Sequence, residues 1–588
     1  MSPGAVLPYG MALLLLMFTA GCGPNGDRLA VVSESEPAPD LIIYDVRVKT
    51  GNPGRPEATA FAVTAGRFSA VGSSTALLAL AGAETELIEL GGLMVTPGFI
   101  DSHTHLMLGK NLTLGVDLTG LVTQQEWLTR IEERVAGLAP QEWLVGGNWD
   151  HNLDKGVLPT KEDLDRVTGA HPAILWDIDH HSAWVNTAAL EHAQFSAATP
   201  VPPGGAILLN ELGEPSGILL ESAGFLMEAA MPRDSTARQE EGILGAMALA
   251  NQLGITMVHD MSAFSTDTAL NEVIVNLTAR GKSTVRVWEG LLQPDSPKAI
   301  ARAVRDRDRY RRRIDDSGVE SSVGPLFDLG YVKYFMDGVL STRTAVLNHP
   351  YSDAPDTSGG IGFLSVDELS SLTRAANEAG FAVATHAVGD RAVSDVLDAY
   401  EAAGTQSTHP NRIEHLEIVA EKDVERFATL GISASMQPYH LGCCGENYVR
   451  DRLGDDRLSR TYLWRTLAEY GVAVVLGSDW PTSPFNPLSQ IAAVVSRQSK
   501  SPGGGLSDWP PLEEALTFDE AVIGYSHSGA AITAWADQVG SIEVGKWADF
   551  VVLDGSATQS PDTLLLEARV LSTYLAGRRV YPVADPGL

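Results

Sequence analysis

The chain has 588 residues, 44% hydrophobic and 20% charged, the composition of a globular protein with a large core and more than one structural unit. A formal net charge of −32 repels phosphate backbones and argues against a nucleic-acid partner. Three cysteines, Cys22, Cys443 and Cys444, cannot build a disulfide framework, and the adjacent pair reads as free thiols.

Residues 11–20 read MALLLLMFTA, an apolar run too short to cross a bilayer but of the length of a signal-peptide core. Thr19-Ala20-Gly21-Cys22 follows, and small residues before a cysteine resemble a bacterial lipobox. The segment before the run carries no Lys or Arg, which departs from the usual signal peptide. The expectation is an export signal over residues 1–22, with a lipidated Cys22 tethering the protein to a membrane on its periplasmic or outer side. Residues 23–39, rich in Ser, Glu and Pro, read as the linker.

Beyond the linker, residues 40–48 (DLIIYDVRV), 59–69 with a turn at Gly66, and 87–95 read as short strands. Residues 548–553 and 570–581, the latter a hairpin around Ala576-Gly577, read likewise. The two β-rich ends, 40–96 and 540–588, are expected to build one composite β-domain.

Between them, short apolar strands alternate with helical stretches such as 366–379, the pattern of parallel α/β structure. Candidate strands lie at 99–105, 256–260, 285–291, 331–337, 381–388, 412–417, 433–438 and 474–480. Eight is the number a (β/α)8 TIM barrel needs, and residues 97–539 are read as that barrel. The gap after the first strand is too long for a loop, so residues 110–250 are expected to be an inserted subdomain with strand-like segments at 143–149 and 173–179. The arginine-rich run 302–313 is interleaved with Asp306 and Asp308, and on a helix it reads as a solvated, salt-bridged face.

The chemistry-bearing residues sit at the ends of these strands, where a TIM barrel gathers its functional groups. In FIDSHTH (99–105), alternate residues share a face, so His103 and His105 project together and can hold one metal ion. Lys333 lies inside an apolar strand, YVKYF; burial depresses its pKa, and the neutral amine can add CO2 to give a carbamate, an oxygen ligand for metals. The competing reading pairs Lys333 with a carboxylate such as Asp337. His386 and His415 end the fifth and sixth strands, and Glu414 is expected to face away from His415 by alternation. Asp479 follows the apolar run 472–476, where a carboxylate needs a cation or donors. His259 and Asp260 could support ligands or merely close the second strand. Asp337, Arg343 and His440 stand as substrate-contact candidates.

TPGFIDSHTH resembles the first-strand motif of the amidohydrolase superfamily. With GITMVHD, YVKYFMDG, THAVGDRAV, RIEHLE, ASMQPYH, LGSDWP and SIEVGKWADFVVLD following in order, the chain is identified as a member of the amidohydrolase 3 family, among its YtcJ-like metal-dependent hydrolases. The resemblance runs from about Asp40 to the end. It implies His103, His105, His386 and His415 as metal ligands, a carboxylated Lys333 bridging two metals, and Asp479 as both ligand and proton shuttle. His181 and Glu221, in the insertion, are implied to face the substrate, although His180 stands where the family carries glycine.

The activity this implies is hydrolysis of a carbon–nitrogen bond other than a main-chain peptide bond, in an amide, N-acyl amine or cyclic amide. Metal-activated hydroxide is the nucleophile; Asp479 passes the proton to the leaving nitrogen and His440 helps stabilise the oxyanion. Zinc is expected, one or two per chain, with iron and manganese also suited to such ligands. Ester or lactone hydrolysis on the same site, and an exported binding protein without catalysis, are the alternatives. The expected partner is a small amide-type molecule, and a homo-oligomer is left open.

Overall fold

The computed structural model describes residues 37–150, 158–178, 180, 182–201, 205–261, 269–356, 359–405, 407–441, 448–500, 506–509, 511–554 and 568–582. The expected signal segment with Cys22, the Cys443-Cys444 pair and His181 lie outside them. Pro39–Leu588 is one folded unit.

Eight parallel strands form the central sheet: Phe99–Thr104, Ile255–Asp260, Arg286–Leu292, Phe327–Phe335, Ala382–Ala387, Arg412–His415, Ser433–Met436 and Val474–Leu476, paired in that order. Each stands where the apolar pattern placed it. The fourth starts earlier than expected: Phe327 already pairs with Val287, and Asp328, which interrupts the apolar run, is held by Arg311 at 2.8 Å. The last strand meets the first not through a ladder but through the turn that follows it, with Asp479 N donating to His103 O and His105 N to Trp480 O, both at 2.7 Å. A β-carbon on Gly477 would stand 2.4 Å from His103 N, so only glycine lets the barrel come this close to closure.

Side chains on the outer face of the strands, among them Val332, Val383, Ile413, Ala434 and Leu476, share one core with the surrounding helices. The helix Val366–Glu378 begins with a capping box between Ser365 and Glu368. The arginine-rich run lies on the helix Pro297–Ser317, where Arg309 and Arg313 reach Glu272, the salt-bridged face its composition predicts.

A second sheet takes strands from both ends of the chain. Phe550–Leu553 pairs antiparallel with Met94–Pro97, and Phe61, Phe68, Phe550 and Tyr574 pack their rings together inside. The segment 87–95, read as one strand, is two, Glu86–Glu89 and Met94–Pro97. Gly91 and Gly92 break it by turning through positive φ (57° and 82°).

The insertion carries a six-stranded sheet in the order Ala206–Leu209, Pro215–Leu220, Ser182–Val185, Ile174–Asp177, Gly146–Trp149, Val116–Asp117. Trp127, Trp149 and Trp184 fill one core against it, while Trp143 and Trp176 fill another. Among the described residues, no helix is long and apolar enough to cross a membrane.

Candidate metal centre

The first strand delivers His103 and His105 to one carboxylate. His103 Nε2 lies 3.2 Å and His105 Nε2 3.3 Å from Oδ1 of Asp479, as the two-residue spacing predicts. Asp479 stands in the turn after the eighth strand with a left-handed backbone, φ 63°. Burial raises its pKa, but the neighbouring imidazoles of His103, His105 and His440 outweigh this and hold the carboxyl well below its ordinary range.

His415 enters by a different route. Alternation predicts that Glu414 and His415 face opposite sides of the strand, yet both reach the site. The chain leaves the strand through two left-handed residues, His415 (φ 76°) and Leu416 (φ 53°), and this turns the imidazole inward. Its ring centre is 4.8 Å from that of His103 and 4.4 Å from that of His386. Glu414, fully buried, places Oε2 2.6 Å from Nδ1 of His103. Arg412 Nε braces the other carboxylate oxygen at 2.7 Å.

Burial lowers the pKa of His103 and His386, the latter to about 3, and that of His415 far below its ordinary value. Neutral imidazole is the form that ligates metals. With Glu414 accepting the proton on Nδ1, His103 presents a lone pair at Nε2, a buried atom with no hydrogen-bond partner. One ligand atom each from His103, His415 and Asp479 fits within 4.8 Å. Imidazole nitrogens with a carboxylate, and a buried nitrogen without a proton donor, fit a divalent cation such as zinc, iron or manganese.

A profile of the amidohydrolase family matches residues 86–581, the span that holds all of these side chains. The chain belongs to the amidohydrolase family. It is 33% identical over 501 residues to the putative amidohydrolase YtcJ of Bacillus subtilis, covering 85% of this chain and 91% of that one. It is 30% identical over 551 residues to the N-substituted formamide deformylase of Arthrobacter pascens, covering 92% and 97%. A metal-dependent hydrolase of Pyrococcus horikoshii shares the fold, with a TM-score of 0.69, 24% identity and coverage of 89% and 98%. The protein is accordingly a hydrolase acting on carbon–nitrogen bonds.

In this amidohydrolase His440 stacks on His415, ring centres 5.7 Å apart and nearly parallel. Its Nε2 is 3.4 Å from Asp479 Oδ2 and its Nδ1 3.6 Å from Glu417 Oε1. Burial pulls its pKa down, but the two carboxylates prevail and push it up to about 10. Lys333 is 1% exposed and makes no ion pair with any described residue; its Nζ sits 5.3 Å from the centre of the Phe335 ring. Burial lowers its pKa to about 8.

The Lys333–Asp337 pair weighed from sequence does not form. The Asp337 carboxylate accepts N–H bonds from Val346, Val388 and Gly389 at 2.8–2.9 Å, anchoring the loop after the fourth strand to the end of the fifth. Arg343 is spent on Asp353 at 2.7 Å, in an exposed pair. Arg343 is not brought to the histidine cluster, whereas Asp337 Oδ1 stands at its edge, 3.8 Å from His386 Nε2. Glu221 holds a left-handed backbone, φ 50°, at the start of the helix Ser222–Ala230. His259 accepts from Arg412 at Nδ1 (2.8 Å), and Asp260 accepts the Met107 N–H at 3.2 Å.

The sequence reading misses Arg412, Glu417 and Asn148 and turns Glu414 away from the site. Arg412 and Glu414 carry a signal in retrospect, opposite charges two apart in a strand with both faces covered. Asn148, in the insertion, donates to Pro481 O at 2.6 Å and Thr119 Oγ1 at 3.1 Å, clamping the turn that bears Asp479. Its partner is 333 positions away, and no local pattern marks it.

Proposed function

We propose that the protein hydrolyses a non-peptide amide, N-acyl amine, N-substituted formamide or cyclic amide with one or two divalent metals, zinc first among them. The ligands would be His103, His105, His386, His415 and Asp479, with a carboxylated Lys333 joining them if two metals bind. The carrying observation is the convergence of His103, His105 and His440 on the single carboxylate of Asp479. The similarity to a formamide deformylase supports the choice of bond.

When bound, the metal supplies Lewis acidity and lowers the pKa of water. Asp479 takes the proton of the attacking water and returns it to the leaving nitrogen. His440, held protonated between Asp479 and Glu417, would put its positive charge beside the oxygen that gains charge. Glu414, braced by Arg412, keeps the proton of His103 on Nδ1. Residues 1–22 would export the chain and a lipidated Cys22 would tether it, a reading supported by the apolar run and the small residues before the cysteine.

The test is to purify residues 23–588 without chelators, measure metal per chain by plasma mass spectrometry, and assay matched amide and ester substrates. Two metal equivalents with amide turnover are expected. One equivalent with turnover would demote Lys333, and none, with no activity after adding zinc or manganese, would overturn the hydrolase mechanism.

A further inference from the structure

Gln437 follows directly on the seventh barrel strand, Ser433–Met436. Its side chain is 1% exposed, yet neither Oε1 nor Nε2 has a hydrogen-bond partner. Among the described residues it is the only side chain with two such buried atoms. Both ends are orphaned, so turning the amide over changes nothing.

Its place follows from the register. Met436 packs in the outer core with Ala434 and Leu476, so Ser435 and Gln437 take the interior face. Ser435 is level with Glu414, the residue that meets His103. Met436 is level with Leu476, which puts Gln437 beside Gly477, two residues before Asp479. Its own carbonyl accepts the N–H of His440. Gln437 thus stands at the C-terminal rim of the barrel, in the chain between the seventh strand and His440 and level with the start of the turn that carries Asp479. A buried donor and acceptor left unpaired are costly, and such a pair persists where a ligand completes it.

We propose that Gln437 binds substrate, and that it selects molecules presenting an amide N–H and a carbonyl oxygen side by side along one edge, as lactams and ureides do. The complement of an amide edge is another amide edge: Oε1 accepts the substrate N–H while Nε2 donates to the substrate carbonyl. This rests on the amide-hydrolase reading above and narrows it towards cyclic amides. A site built to bond an N–H rejects the analogue that lacks it, because its own acceptor is then left unpaired.

The experiment uses the full-length, metal-loaded protein with valerolactam and N-methylvalerolactam as probes, their binding followed by saturation-transfer NMR. The wild type is expected to bind the N–H lactam roughly 10- to 100-fold more tightly. Gln437→Met keeps the length and removes both polar atoms; it should bind the two lactams within about threefold of each other. Its metal content should be unchanged and its ligand-free melting temperature equal or higher, since an unpaired amide has been removed. Gln437→Glu, which keeps an acceptor but loses the donor, should bind both lactams more weakly. A wild type that binds neither lactam or does not discriminate, a Met variant that still discriminates, or a Met variant that melts several degrees lower or fails to fold would overturn the proposal. If discrimination stands but no amide is hydrolysed, the reading of the activity fails and the binding role of Gln437 survives.

Discussion

Glu414 Oε2 lies 2.6 Å from His103 Nδ1, across the barrel between the sixth strand and the first. The contact sets which nitrogen of His103 carries the proton, and therefore whether its lone pair at Nε2 faces Asp479 and His415. Glu414→Gln keeps the shape but offers either an amide donor or a weaker acceptor. Metal affinity, measured by chelator competition, should fall by about 10- to 100-fold while the fold is retained. An unchanged affinity would show that His103 is oriented by other means.

Asp479 is the shared partner of three histidines. Asp479→Asn removes the proton acceptor with little change in volume, and kcat should fall by about 10²- to 10⁴-fold. Determining metal content on the same preparation separates loss of a ligand from loss of the proton transfer.

Lys333 is buried without an ion-pair partner among the described residues, so its role can be read chemically. Lys333→Ala should halve the bound metal if a carbamate bridges two ions, and added acetate or propionate should restore part of the activity by supplying a carboxylate in its place. Unchanged metal content would remove Lys333 from the ligand set.

His440 links protonation to stability. Its pKa in the folded metal-free protein, about 10, exceeds the unfolded value of about 6.5, so the folded state holds this proton more tightly. The stabilisation is fully present below about pH 6.5 and is lost as pH rises towards about 10. Lys333, depressed to about 8, acts in the opposite sense at the upper end, as its proton leaves the folded state first. The readout is therefore the difference between wild type and His440→Gln in urea unfolding of the metal-free protein: the wild-type advantage should shrink between pH 7 and 9. A difference that stays constant with pH would remove His440 from the account.

The barrel is joined to the C-terminal strands by a buried bidentate pair, with Arg286 Nε 2.7 Å from Asp549 Oδ2 and Nη2 2.8 Å from Oδ1. Removing one partner strands the other charge in the interior. Asp549→Ala should cost about 3–5 kcal/mol in denaturant unfolding, whereas a surface pair such as Arg130–Glu133 should cost about 1 kcal/mol or less when Glu133 is replaced.

What local order alone encodes was legible. Apolar runs of strand length placed all eight barrel strands, and period-two alternation put His103 and His105 on one face, because both depend only on neighbours in the chain. Where the backbone leaves its regular conformation, that logic stops. His415 and Asp479 reach the centre through positive φ, so alternation assigned Glu414 to the wrong side and missed its bond to His103. Lys333 and Asp337 are near in sequence and looked like a pair, but three backbone N–H groups from other segments claim Asp337 first. Asn148 and Pro481 meet only because the inserted sheet folds back onto the last barrel turn. The sequence by itself determined which residues could ligate, titrate or line strands. Only the tertiary structure decided which of them converge, because convergence is set by barrel closure and strand register across hundreds of residues.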